Sequence, residues 1–258
     1  MNGPDGNGAK DFVGDWRDSR LDLTDKVAVV TGAARGIGRA TCVALAREGI
    51  KAIAVVDQLS DVTEFADQAN EHFGREVMVP FSGDVTSAEF RGRVFTEMQK
   101  LHGVLSICVP AAGITQDRLA VMVDRDTGDV DLYCDEAFRR VLEVDLIAPI
   151  YWAMETVGSV ARDRHARGLK RWKPSDGMRG CIILIGSVSS AGNRGQISYA
   201  TAKAGLEGAQ ATLTAEAMYH TVSAAPSSTP ATPTPPWCGP WGRASSTSTS
   251  CPRRNYVG

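Results

Sequence analysis

The sequence predicts an α/β domain built on a doubly wound parallel sheet. Three observations predict it. From Lys26 onward, apolar runs of strand length alternate with amphipathic segments of helix length. The runs are apolar on both sides, as parallel strands covered on both faces require. A glycine-rich turn sits where the first run passes into the first amphipathic segment. A chain of 258 residues with 43% hydrophobic residues can bury one sizeable core, so one domain is expected rather than two.

Five strands are read in order: Val27 to Thr31, Ala52 to Asp57, Val77 to Phe81, Leu105 to Val109 and Cys181 to Ile185. Helices are predicted near 37–48, 60–73, 87–101, 135–160 and 198–219, and right-handed crossovers would join them into the sheet. Two connections look enlarged. Thr115 to Asp135 is read as a loop, and Arg162 to Arg179, rich in Arg and Lys, as a solvated surface loop. The domain is placed at 21–220, after a polar, glycine-rich tail over 1–20. That tail lacks the apolar run of a secretion signal, and no stretch is long enough to span a bilayer. A cytoplasmic protein without a membrane partner is therefore expected.

The formal net charge of −2 supplies no basic field for nucleic acid, and no basic face is interleaved with stacking aromatics. No Cys-x-x-Cys pair accompanies the four histidines, so no metal site is expected. Small-molecule chemistry is the reading that remains.

The first strand runs into Thr31-Gly32-Ala33-Ala34-Arg35-Gly36-Ile37-Gly38 and then a helix. Gly32, Gly36 and Gly38 let the backbone turn sharply and approach a pyrophosphate, whose charge the helix amino terminus meets. Arg35 and Ile37 lie within the same turn. Asp57 closes the second strand about twenty residues beyond, where a carboxylate accepts hydrogen bonds from the adenosine ribose. It would repel a 2′-phosphate, which favours NAD, while Arg35 could neutralise such a phosphate and keeps NADP open. The other reading of Asp57 is a strand-end turn former.

The spacing Thr-Gly-x-x-x-Gly-x-Gly resembles that of the short-chain dehydrogenase/reductase family, whose fold is Rossmann-like. Further segments match in order. Asp84-Val85 is similar to the pair that contacts adenine, and Pro110-Ala111-Ala112-Gly113 to the Asn-Ala-Ala-Gly run closing the fourth strand. The resemblance therefore implies cofactor contacts at Ala111, Ala112 and Gly113. Proline in place of asparagine costs a sheet hydrogen bond and calls for compensation.

Tyr199-Ala200-Thr201-Ala202-Lys203 puts a phenol and an ammonium four residues apart, on one face of a helix. Ser187 stands twelve residues before Tyr199, just past the fifth strand. Reducing a ketone builds negative charge on oxygen as hydride arrives, so a proton donor must stand within hydrogen-bond reach. A free tyrosine titrates near 10, and the Lys203 ammonium together with a positive oxidised nicotinamide is expected to lower that value. The resemblance assigns Tyr199 as general acid/base, Lys203 as its tuner and ribose ligand, and Ser187 as the partner of the carbonyl oxygen. It also places Asp145 where the family has an asparagine that holds a relay water. Gly192-Asn193-Arg194-Gly195-Gln196 most resembles the 3-oxoacyl-carrier-protein reductase-like members, which implies a ketone or secondary alcohol, including carrier- or CoA-linked substrates, and a homo-oligomer. The alternative is a dinucleotide-binding protein of weak or absent activity, motivated by Asp145, Pro110 and the expected loss of the carboxyl-terminal strand.

After His220 the composition turns to Ser, Thr, Pro and Ala, with seven prolines between Pro226 and Pro252. Residues 221–258 are read as an aberrant tail that supplies no central strand, leaving the carboxyl-terminal strands missing and the sheet edge bare. Read one base earlier, codons for Thr229 to Cys238 can spell His-Pro-Gly-Tyr-Thr-Asp-Thr-Pro-Met-Val, so a frameshift close to His220 is expected.

Overall fold

The computed structural model describes residues 22–169, 179–217 and, as backbone, 222–227. The parts of the tails at 1–21 and 228–258, the basic stretch 170–178 and the junction at His220 lie outside the described residues. A six-stranded sheet runs in the order β3-β2-β1-β4-β7-β8. Its members are β1 (Val27–Thr31), β2 (Ala52–Asp57), β3 (Met78–Ser82), β4 (Leu105–Pro110), β7 (Gly180–Ile185) and β8 (Val222–Ser227). Every neighbouring pair is parallel. Chain order reverses between β1 and β4, which opens a crevice at the carboxyl ends of those strands.

Alternation along the strands divides the core into two layers. Val27 and Val29 of β1 and Ala52, Ala54 and Val56 of β2 face α3 (Ala88–His102), α5 (Ala148–Ala166) and α6 (Ile197–Ala217). Ala28 and Val30 with Ile53 and Val55 face α1 (Gly36–Arg47) and α2 (Asp61–Phe73). Period-two backbone geometry alone sends successive side chains to opposite layers, so a strand buried on both sides must be apolar throughout. Trp152 of α5 fills the first layer with no exposed surface, beside the rings of Phe90 and Phe95, and its indole N–H donates to Val85 O at 2.9 Å. Trp152→Ala removes that ring and leaves a cavity and an unpaired carbonyl. A loss of about 3–5 kcal/mol in unfolding free energy is expected by urea titration.

Three expectations are corrected. The stretch Thr115 to Asp135 is not a plain loop: it carries an antiparallel hairpin, β5 (Val121–Val123) and β6 (Val130–Leu132). The Asp124 carboxylate accepts the N–H groups of Asp126 and Thr127, and Gly128 takes the left-handed conformation (φ 77°) that closes the turn. The predicted helix 135–160 is interrupted, with α4 (Asp135–Leu142) passing through a π turn at Glu143–Ile147 before α5 begins. A single π turn leaves no signature in a 3.6-residue pattern. Last, the segment after His220 does supply a strand. β8 pairs with the whole of β7, from Gly180↔Val222 to Ile185↔Ser227, and covers the edge expected to be bare. Pro226 is accommodated because β8 is itself the outermost strand, where a missing N–H is tolerated.

Candidate active site

The glycine turn is held by contact with backbone rather than by side chains. Gly32 has φ 66°, and a Cβ there would lie 2.7 Å from Ala112 backbone atoms, so the turn presses against the chain leaving β4. A Cβ on Gly38 would lie 2.2 Å from Gly32 O. Gly36, at φ 57°, has open space around it. The exposed first turn of α1, with Arg35, Gly36 and Ile37, carries no side-chain cap. Unpaired N–H groups at such a terminus suit an anionic phosphate.

Asp57 is 8% exposed and turns its carboxylate inward. Oδ2 accepts the Ala34 N–H at 3.0 Å and Oδ1 the Leu59 N–H at 3.1 Å. The side chain thus braces the glycine turn and forms the strand-end turn, while each oxygen keeps a second lone pair that a ribose hydroxyl could use. Asp84 accepts from the N–H and hydroxyl of Thr86 through Oδ1 and from Arg140 through Oδ2. Burial pushes its carboxyl up, but those hydrogen bonds and the Arg140 charge together hold it below the ordinary value. Val85 is buried, with its carbonyl taken by Trp152. Pro110 ends β4 opposite Thr31, and the next two residues supply the compensation: Ala111 N–H donates to Thr31 O and Ala112 N–H to Thr31 Oγ1, both at 3.2 Å.

At the chemical end, β7 delivers Ser187 to the amino terminus of a short 3-10 helix (Val188–Ala191), where Ser187 Oγ accepts the Ser189 N–H at 3.1 Å. The Ser187 hydroxyl is near enough to the Tyr199 phenol to draw its titration downward. One helical turn on, Lys203 is 5% exposed; its Nζ lies 5.5 Å from the Tyr199 ring centre and donates to Ile185 O at 3.1 Å. The π turn carries Asp145, fully buried, with Oδ1 accepting the Ile114 N–H at 2.8 Å and Oδ2 standing 3.9 Å from Lys203 Nζ. The structure therefore brings Ser187, Tyr199, Lys203 and Asp145 together beyond the carboxyl ends of β4 and β7.

The electrostatics correct one expectation. Burial pushes the Tyr199 phenol above its ordinary value, the Ser187 hydroxyl draws it down, and the charges of Asp145 and Asp117 raise it again. Without a bound cofactor the net shift of the phenol is upward. Burial lowers Lys203 itself, against an upward pull from Asp145, and burial raises Asp145 to about 6 against the Ile114 N–H and the Lys203 charge.

Sequence reasoning missed a set of residues that tie the hairpin to the catalytic segment. Tyr133 Oη donates to Gln116 O at 2.6 Å and lies 2.9 Å from Ser198 Oγ, next to Tyr199. Gln196 Nε2 donates to Asp117 Oδ2 at 2.9 Å, and Arg118 N–H to Gly195 O at 2.7 Å. The pairs that reach Gly195, Gln196 and Ser198 are 65 to 79 residues apart in sequence and leave no local spacing to read.

The short chain dehydrogenase family matches this sequence over residues 26–235, past residue 220, where the domain was expected to end. The chain belongs to that family of oxidoreductases. The 3-oxoacyl-[acyl-carrier-protein] reductase FabG of Escherichia coli (strain K12) is 30% identical over 197 residues, spanning 76% of this chain and 69% of that protein. The FabG of Pseudomonas aeruginosa is 35% identical over 193 residues, spanning 73% and 66%. The crystal structure of a short chain dehydrogenase from Mycobacterium smegmatis superposes with a TM-score of 0.65 at 26% identity, covering 80% of this chain and 77% of that one. Among the described residues no helix is long and apolar enough to cross a membrane, and no group of three or more His, Cys, Asp or Glu could hold a metal ion.

Proposed function

We propose that this chain moves hydride between a nicotinamide cofactor and a ketone or secondary alcohol, with Tyr199 as general acid/base and Ser187 and Lys203 beside it. The observation that carries the reading is Lys203 Nζ 5.5 Å from the Tyr199 ring centre, with Ser187 near enough to bear on the phenol. A carbonyl oxygen between the two hydroxyls would gain a donor from each as its negative charge develops. The bound cofactor would supply or accept the hydride. Gly32, Arg35, Gly36, Ile37, Gly38, Asp57, Asp84, Val85, Ala111, Ala112 and Gly113 would hold it, with Tyr199 and Lys203 at its nicotinamide end. Lys203 is held by Ile185 O, and Tyr199, pushed upward by burial, keeps its proton at neutral pH. That is the form needed to protonate an alkoxide during reduction.

The inward Asp57 carboxylate supports NAD as the preferred cofactor, while exposed Arg35 keeps NADP as the competitor. The relatives' names support a 3-oxoacyl thioester, carried on CoA or on a carrier protein. A cytoplasmic homo-oligomer is part of the same reading. The second reading, a dinucleotide binder of weak or absent activity, is favoured by the acid at position 145. The deciding experiment follows NADH and NADPH oxidation at 340 nm with β-keto thioesters and cyclic ketones. Turnover faster with NADH is expected, and cofactor binding without turnover of any ketone supports the binder. The frameshift near His220 belongs to this proposal as well: sequencing the DNA across codons 218–238 is expected to reveal it, and an intact frame removes it.

A further inference from the structure

We infer that Asp117 and Tyr133, at the two feet of the β5–β6 hairpin, are positioning residues that together fix the Tyr199 phenol and the Ser187 hydroxyl relative to one another. The inference rests on the catalytic reading above for its effect on turnover, and on contacts that stand without that reading for the brace itself.

Tyr199 is the third residue of α6, and Ser187 immediately precedes a 3-10 helix of four residues. Both hydroxyls are therefore carried by segments that local backbone bonding holds weakly, because helix ends fray and a 3-10 run has poor hydrogen-bond geometry. The Ser187 Oγ bond to Ser189 N–H lies within its own turn and leaves that turn free to shift as a whole. A misplacement of about 1 Å at a reacting group can cost about 10²-fold in rate. Holding the pair in register calls for bonds that come from outside both segments.

The feet of the hairpin supply them. At the first, Asp117 Oδ2 accepts Gln196 Nε2 at 2.9 Å, and the amide oxygen of Gln196 accepts Ser189 Oγ, also at 2.9 Å. One amide thus links the hairpin to the turn that carries Ser187. At the second foot, the Tyr133 phenol spends its single proton on Gln116 O at 2.6 Å, so the 2.9 Å contact with Ser198 Oγ is filled by the serine's proton. Ser198 is 1% exposed and immediately precedes Tyr199. The feet are joined to each other, since Gln116 is the neighbour of Asp117 and Tyr133 N–H donates to Ala120 O at 2.9 Å. Arg118 N–H closes the brace on Gly195 O at 2.7 Å.

Packing alone does not explain these side chains. The Tyr133 ring already meets Phe138 edge-on, centroids 6.3 Å apart, and its oxygen adds nothing to that contact. What the oxygen adds is the bond to the residue before Tyr199. Asp117 is close enough to the reacting end for its charge to push the phenol upward.

Three variants test the brace. Tyr133→Phe keeps the ring on Phe138 and removes only the oxygen, so a kcat for ketone reduction about ten-fold lower, with the KM for cofactor unchanged, is expected. Asp117→Ala breaks the other foot and should lower kcat in the same way. Asp117→Asn, whose amide oxygen can still accept Gln196 Nε2, should recover most of that loss. Because one brace fails only once, Tyr133→Phe combined with Asp117→Ala should cost less than the product of the two single losses. Amide hydrogen exchange provides a readout independent of turnover. The Ala200 N–H, which donates to Gln196 O at the start of α6, should exchange about ten-fold faster in Tyr133→Phe, while the amides from Ala202 to Leu213 keep their wild-type rates. Wild-type turnover in Tyr133→Phe or in Asp117→Ala, a cofactor KM that worsens in step with kcat, or an unchanged Ala200 exchange rate each overturns the brace. Should the wild type reduce no ketone, the catalytic reading falls, and the exchange rates still decide whether the hairpin holds the turn that carries Tyr199.

Discussion

Tyr199→Phe is expected to lower kcat/KM for ketone reduction by at least 10²-fold, and by as much as about 10⁴-fold, the range that a positioned proton donor contributes. The substitution removes one oxygen. It leaves the ring that Lys203 Nζ approaches at 5.5 Å and leaves Lys203 anchored on Ile185 O, so the fold and the cofactor cradle remain. Ser187 Oγ keeps the Ser189 N–H it already accepts at 3.1 Å. The comparison to make is turnover against cofactor affinity, the latter from quenching of protein fluorescence by NADH. Unchanged affinity with collapsed turnover supports Tyr199 as the proton donor, whereas a variant that still reduces ketones at the wild-type rate removes it from the mechanism.

Gly38→Ala is the second large effect, and it acts at the other end of the crevice. The added methyl would stand 2.2 Å from Gly32 O and 2.8 Å from Gly32 C, both backbone atoms with nowhere to go. Either α1 withdraws or the turn opens, and in both cases the N–H groups that would receive the pyrophosphate leave their positions. Cofactor affinity should fall by about 100-fold, equivalent to roughly 3 kcal/mol of binding. Gly36→Ala supplies the contrast. Nothing lies within 4 Å of a Cβ there, so the cost is the left-handed backbone at φ 57°, about 1–2 kcal/mol of stability with the cradle intact. Calorimetric titration with NADH alongside thermal unfolding separates the two. Equal affinity in Gly38→Ala and wild type would show that the turn does not hold the cofactor.

Most of the fold was legible because its causes are local. The runs at Val27, Ala52 and Leu105 are apolar on both sides, and only a covered parallel strand asks for that composition. The glycine turn announces itself because φ values of 66° and 57° exclude most side chains. Tyr199 and Lys203 share a helix face by spacing alone. The hairpin after β4 was harder to see. Its strands are three residues each, below the length at which alternation becomes a pattern, and its anchors to Gly195, Gln196 and Ser198 lie far away in sequence. The strand at Val222–Ser227 was masked by Pro226, whose penalty depends on whether a strand is central or at the edge, a property of the sheet and not of the segment.

By itself the sequence determined the doubly wound sheet and the glycine turn, because periodicity and glycine placement act over a few residues, while the four side chains at the chemical end were pointed to by the family resemblance. Only the tertiary structure decided the electrical character of that end. Whether Tyr199 is raised or lowered, whether Asp145 keeps a free oxygen, and how far that oxygen stands from Lys203 all depend on burial and distance between β4, the π turn and α6. Desolvation is a sum over every neighbour a folded chain brings close, and no spacing within one segment encodes it.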